Sequence, residues 1–293
     1  MTAVTGTAVQ EAVSRFLAES PVNSLFPETR EPIFASPLVG FSAGDDPLYV
    51  EFRRHIGSFY YTPADMFRDE FPDGSVSGGL TVISWVLPST RRTREEQAAR
   101  RKHPSERWAR TRALGEECNN ALRRHLVSWL RERGVRAFAP LLSPHWSRSD
   151  EGPYAPCSNW SERHAAYAAG LGTFGLCDGL ITPVGKAVRV GSVIAECALP
   201  PTPRPYTDHH AYCLHFTAGT CRECVARCPV GALSAAGHDK QRCMRYTEGS
   251  MNQYIRKKFG LDTYACGLCQ AGVACTYGIP AATPDSAGRK EDG

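Results

Sequence analysis

No run in the chain approaches 18 consecutive apolar residues, so the sequence predicts no membrane-spanning helix. Its start, MTAVTGTAVQEAVSRFLAES, has no basic segment followed by an apolar one and no twin-arginine pair, so no export signal is read there. Charge of one sign is not in excess either: 34 Lys and Arg face 30 Asp and Glu, for a net charge of +4. That is well short of a dedicated nucleic-acid binder, and composition neither requires nor excludes such a partner. Apolar residues at 42% and charged residues at 22% exclude disorder as the main state. Repeats and low-complexity tracts are missing too. Together these absences predict a globular protein of the cytoplasm, where thiols stay reduced.

Cysteine, by contrast, is abundant: 12 in 293 residues, eight of them between Cys213 and Cys275. A chain of this length does not need disulfides in place of a core, so the dense set points to metal binding. Upstream, Val9, Val13, Phe16 and Leu17 recur at helical spacing. Asp45, Asp46 and Pro47 read as the start of another helix. Leu80–Leu87 reads as a buried strand, and Trp108, Leu114, Cys118, Leu122, Leu126 and Leu130 mark a long helix between Pro104 and Gly134. A strand over Val135–Leu142 then completes an α/β unit. A helix over Trp160–Ala169 and strands at Leu180–Ile181 and Val188–Ile194 follow. Pro200–Pro205, four prolines in six residues, reads as a linker. The expected architecture is an α/β (α+β) domain over residues 1–199 and a cysteine-rich domain over 200–293, with short helices around Cys221–Arg227 and Lys240–Phe259.

Cys221-Arg-Glu-Cys224-Val-Ala-Arg-Cys228-Pro229 has the spacing C-x2-C-x3-C-P, the latter part of the bacterial ferredoxin run, in which the last cysteine ligates the other of two clusters. The position of the preceding cysteine is Ala218. Cys213 is the nearest thiol upstream, across the insertion Leu214–Thr220. Chain order and the crossing rule then predict two four-iron–four-sulfide (4Fe–4S) clusters. One is held by Cys213, Cys221, Cys224 and Cys275, the other by Cys228, Cys243, Cys266 and Cys269. The competing reading is two zinc sites of four cysteines, because C-x2-C pairs also build zinc ribbons. Isolated Cys118, Cys157, Cys177 and Cys197 read as small buried hydrophobes.

Gly170-Leu-Gly172-Thr-Phe-Gly175 spells G-x-G-x-x-G, but helix precedes it and turn residues follow, the reverse of a dinucleotide fingerprint. Gly170 reads as a helix C-cap, followed by backbone passing close to something flat and large. The segment Ser161-Glu-Arg-His-Ala-Ala-Tyr-Ala-Ala-Gly-Leu-Gly-Thr-Phe-Gly, with Leu180-Ile-Thr-Pro, Gly191-Ser-Val-Ile and the cysteine set, resembles the epoxyqueuosine reductase and reductive dehalogenase superfamily over roughly residues 80–280. The resemblance implies a ferredoxin-like double-cluster domain after a cobalamin domain. It implies an oxidoreductase whose clusters feed a base-off cobalamin that reduces a small organic substrate, with ferredoxin or flavodoxin as external donor. By the same resemblance Ser158, Arg163, Gly170, Gly172 and Gly175 would contact the cofactor.

This sequence departs from the family at Pro156, which stands where epoxyqueuosine reductases place an aspartate proton donor. The nearest acids are Glu151 and Glu162. Tyr154 and Tyr167 flank the segment and are candidate proton donors. The chain also stops soon after Cys275, without the helical-repeat extension that helps those enzymes hold tRNA. The alternative function is a ferredoxin-type electron-transfer protein with no corrinoid. Arg91–Arg112, with nine Lys or Arg against three Glu, reads as an exposed helix start, and His209 and His210 as solvated.

Overall fold

A computed structural model describes residues 4–72, 74, 76, 78–150 and 154–281. Its strands are β1 (Leu38–Ala43), β2 (Thr81–Pro88), β3 (Ala137–Phe138), β4 (Arg148–Ser149), β5 (Cys157–Ser158), β6 (Thr173–Phe174), β7 (Leu180–Ile181), β8 (Val188–Ala195), β9 (Leu233–Ser234) and β10 (Gly237–His238). Its helices are α1 (Gly6–Glu19), α2 (Pro47–Ile56), α3 (Pro63–Glu70), α4 (Arg91–Ala98), α5 (Glu106–Arg131), α6 (Glu162–Ala168), α7 (Leu214–Ala218), α8 (Glu223–Ala226), α9 (Lys240–Met244) and α10 (Asn252–Phe259). A π-helical stretch, Arg245–Met251, joins the last two. Among the described residues no helix is long and apolar enough to cross a membrane.

The central sheet runs in the order β1-β2-β8-β3, with every neighbouring pair antiparallel. All eight residues of β2 are buried, which explains their unbroken apolar run: the strand is covered on both faces. Ile83, Trp85 and Leu87 pack beneath α1 and α5 with Val13, Leu122 and Leu126. Val82 and Val86 face the other way, into an aromatic layer with Tyr49, Phe52, Phe67 and Trp160. Capping fixes the helix starts: Ser105 Oγ accepts from Trp108 N at α5, and an Asp46 carboxylate oxygen accepts from Leu48 N at α2.

Three expectations change. The strand over Val135–Leu142 shrinks to β3 because Pro140 has no N–H to give, and a single 3₁₀ turn follows over Pro140–Leu142. Because β2 and β3 each run antiparallel to β8 between them, they point the same way and form with α5 a split α/β unit in a mixed helix-and-sheet fold. The second change is at Pro200–Pro205, which is not a free tether. Thr202 N donates to Phe41 O at 2.9 Å, Phe41 N donates to Thr202 Oγ1 at 2.9 Å, and Arg204 pairs with Asp46. The cysteine-rich segment is docked just as firmly. Gln97 Nε2 donates to Cys266 O at 2.7 Å, and Trp108 and Ala109 pack on Ile255, Ala265 and Ala271. Arg94 and Arg107, read as part of an exposed basic run, are buried: Arg94 Nη1 donates to Val184 O, and Arg107 pairs with Glu31.

His164 near the start of α6 lies in the aromatic layer, its ring centroid 4.8 Å from those of Phe52 and Phe174, with Nδ1 2.8 Å from Ser161 Oγ. Burial, reinforced by the Arg163 charge, pushes its pKa from 6.5 down to about 3. The fold therefore holds the neutral ring, and protonation favours unfolding. Stability should be unaffected by this group above pH 6.5 and fall progressively as pH drops from 6.5 towards 3. Thermal unfolding midpoints measured across that range, against His164→Gln, check it. An unchanged acid-side slope in the variant would assign the loss to other groups.

Candidate metal centres

Local structure explains how distant thiols meet. Cys213 is the N-cap of α7, and Gly219, with φ +67°, ends that helix and turns the chain straight into Cys221. The insertion Leu214–Thr220 is thus a helical turn and cap that returns the chain to the thiols. Cys224 rides on α8, one turn before Cys228, and Cys228 Sγ accepts from Ala232 N at 3.2 Å. Cys266 and Cys269 flank a turn in which Gly267 has φ +63° and the Trp108 indole fills the place of a Cβ.

Cys213, Cys221, Cys224 and Cys275 line one chamber with Leu176, Lys186 and His215, drawn in to about 20 Å³ of free volume. Cys228, Cys243, Cys266 and Cys269 line a second, of about 350 Å³, with Cys177, His238 and Tyr246. All twelve cysteines are free thiols. Burial pushes the pKa of Cys224 up to about 12 and those of Cys266 and Cys275 up to about 11, so a metal must displace their protons. Among the described residues no three His, Cys, Asp or Glu side chains stand close enough to hold a single metal ion.

The other candidate residues divide differently. Arg163 lines the second chamber, and its Nη1 donates to Asp178 O at 2.6 Å. Ser158 Oγ donates to Trp160 O at 2.6 Å and lines neither chamber. Tyr154 is 38% exposed beside His55, and its carbonyl accepts from Lys240 Nζ. Tyr167 is buried and stacks on Tyr206 at 5.2 Å. Glu162 is tied to Arg123 and Ser192, whereas Glu151 lies outside the described residues. His210 stacks on Phe216 while its Nδ1 faces Phe174 O at 2.9 Å, a packing role, and His209 is exposed.

What lies against the three glycines is the chain's own structure. A Cβ on Gly170, where φ is +77°, would stand 2.7 Å from Pro203 O, and one on Gly172 would stand 2.3 Å from Ile181 O. A Cβ on Gly175 would stand 3.1 Å from the Ile181 side chain. The segment after α6 thus closes onto β7 and the proline strap. Gly172→Ala should cost about 1–3 kcal/mol, since a backbone oxygen cannot rotate away. Denaturant unfolding checks this, and an unchanged midpoint would contradict the close approach.

Two residues at the chambers were not singled out from sequence. Cys177, read as an isolated hydrophobe, lies against Cys269 on the wall of the second chamber. The Cys269 thiol and Lys186 both donate to it and hold its pKa below the usual thiol value. Lys186 carried no motif, and only its burial marks it.

No family model matches the chain. Epoxyqueuosine reductases of Bacillus anthracis and of Staphylococcus aureus are each 32% identical over 115 residues, 38% of this chain. That stretch is 28% of either relative, so the chain spans well under half the length of these proteins. Among solved structures, an epoxyqueuosine reductase with a tRNA-Tyr epoxyqueuosine-modified tRNA stem loop superposes with TM-score 0.43 at 18% identity, covering 85% of this chain and 64% of that one. A catabolic reductive dehalogenase gives TM-score 0.48 at 15% identity, covering 83% and 30%. The chain is a mixed helix-and-sheet protein with two cysteine-lined chambers, one of four thiols and one of five. Over the matched stretch its sequence is similar to that of epoxyqueuosine reductases.

Proposed function

We propose that the chain is a cytoplasmic iron–sulfur oxidoreductase. Cys213, Cys221, Cys224 and Cys275 would hold one 4Fe–4S cluster, and Cys228, Cys243, Cys266 and Cys269 the other, in a ferredoxin-like unit formed by residues 200–293. When bound, the two clusters would supply single-electron transfer from an external donor of the ferredoxin or flavodoxin class towards a small organic substrate. The observation that carries the reading is the division of eight thiols into two chambers in crossed chain order. Tetrahedral zinc with Zn–S of about 2.3 Å needs sulfurs roughly 3.8 Å apart. Among the described residues no three His, Cys, Asp or Glu side chains stand close enough for one ion, which favours a multi-atom cluster over zinc.

A corrinoid does not fit the glycine segment as it stands. Gly170 and Gly172 are already closed on by backbone carbonyls, and the cleft beside Gly170 and Leu171 is about 430 Å³, within the range of drug-sized ligands. Ser158 and Tyr167 serve the packing of the aromatic layer in this reading, and Arg163 forms part of the second chamber wall.

Anaerobic purification with iron, sulfide, zinc and cobalt analysis tests the proposal, with hydroxocobalamin offered during reconstitution. About eight irons and eight sulfides per chain are expected, four of each per cluster. Two zincs would overturn it, and one tightly retained cobalt per chain would restore the corrinoid reading. Epoxyqueuosine is the first substrate to assay, because curated relatives are named for its reduction.

A further inference from the structure

Lys186 is 3% exposed, yet among the described residues no carboxylate pairs with it. Its side chain lines the first chamber beside Cys213, Cys221, Cys224 and Cys275. Its ammonium hydrogen-bonds Cys177, which lines the second chamber beside Cys269. It therefore stands between the two thiol sets. The backbone fixes it there: Lys186 N donates to Cys275 O at 3.0 Å, and Gly185, with φ +93°, packs so closely that a Cβ would stand 2.1 Å from Thr276 O. Gly179 leaves room for the pair, since its Cβ would meet Cys177 Sγ at 3.4 Å and Lys186 Cε at 3.5 Å.

A buried ammonium is costly without an anion beside it. Among the described residues, the groups beside it that can become anionic are thiols, with whatever they bind. We infer that Lys186 is a counter-cation shared by both clusters, a fixed charge between them that raises the reduction potential of each. The inference rests on the two-cluster reading above. Reduction adds a negative charge to a cluster, and a positive charge held nearby at low dielectric stabilises the reduced form more than the oxidised one.

An EPR-monitored redox titration of the reconstituted full chain tests it, with iron and sulfide counted in each sample. Lys186→Met should keep about eight irons while both midpoints move to more negative potential. At the wild-type midpoint its reduced-to-oxidised ratio should fall at least tenfold, about 59 mV for a one-electron couple. Lys186→Arg should keep the wild-type potentials. Full iron with unmoved potentials in Lys186→Met overturns the inference. Where Lys186→Met loses iron, Lys186→Gln and Lys186→Arg decide. Loss in Gln with retention in Arg supports a required charge, and loss in Arg as well overturns it in favour of shape. A wild-type chain that takes up no iron sinks the two-cluster reading and this inference together, whereas unmoved potentials sink this inference alone.

Discussion

Cys275→Ala should lower bound iron from about eight to about four atoms per chain, and Cys228→Ala should do the same, because each four-iron cluster needs its four thiolates. The informative results are the pairs. Cys275 lies far along the chain from Cys213, Cys221 and Cys224 but lines their chamber. Cys275→Ala combined with Cys221→Ala should therefore still leave about four irons, since both changes strike one cluster. Cys275→Ala combined with Cys228→Ala should leave none. Cys228 is only four residues after Cys224 but faces the other chamber, with Cys243, Cys266 and Cys269. An uncrossed assignment makes the opposite forecast for Cys228→Ala with Cys221→Ala, which would then spare four irons. Iron and sulfide assays on anaerobically reconstituted variants separate the two patterns.

Arg123→Ala should be the most destabilising single change outside the cysteines. Arg123 is 1% exposed on α5, and its guanidinium reaches Glu116 and Glu162 at 3.0 Å each. Its Nη2 also donates to Val190 O at 3.3 Å, so one side chain joins α5, α6 and β8. Glu162 additionally accepts from Ser192 Oγ, and burial holds its pKa above the usual carboxylate value even with Arg123 present. Removing the cation strands a buried carboxylate, at a cost of about 3–5 kcal/mol. The thermal midpoint should fall on the order of 10 °C. Adding Glu162→Gln should recover part of that loss, because a neutral amide is cheaper to bury than an unpaired charge. If the double variant is no more stable than Arg123→Ala alone, the ion pair is not what the guanidinium supports. The same network engages the oxygens of Glu162, one of the two acids nearest Pro156 in the chain.

Local chemistry explains which features could be read from the chain. Helix α5 was legible because Ser105 caps it and its apolar stripe keeps helical period to Leu130. Strand β2 was legible because burial on both faces leaves one continuous apolar run. The division of the cysteines was legible because C-x3-C-P carries a rule about which thiol belongs to which centre. Features set by partners far along the chain were not legible. Arg94 and Arg107 look like a solvated basic run until Val184 and Glu31 arrive to cover them. The proline strap reads as a tether because nothing local records the hydrogen bonds between Thr202 and Phe41. The glycines suggest a ligand, while the atoms against them belong to Ile181 and Pro203. Lys186 and Cys177 lie outside any motif, and only folding sets them among thiols up to about ninety residues away.

Mössbauer spectroscopy of the chain reconstituted with ⁵⁷Fe tests the central claim most directly, because it reports the nuclearity of the iron as well as its amount. All bound iron should appear as 4Fe–4S clusters at about two per chain, with one spectral component lost in Cys275→Ala and the other in Cys228→Ala. Mononuclear or two-iron species as the main signal, or a chain that holds zinc and refuses iron, would contradict it.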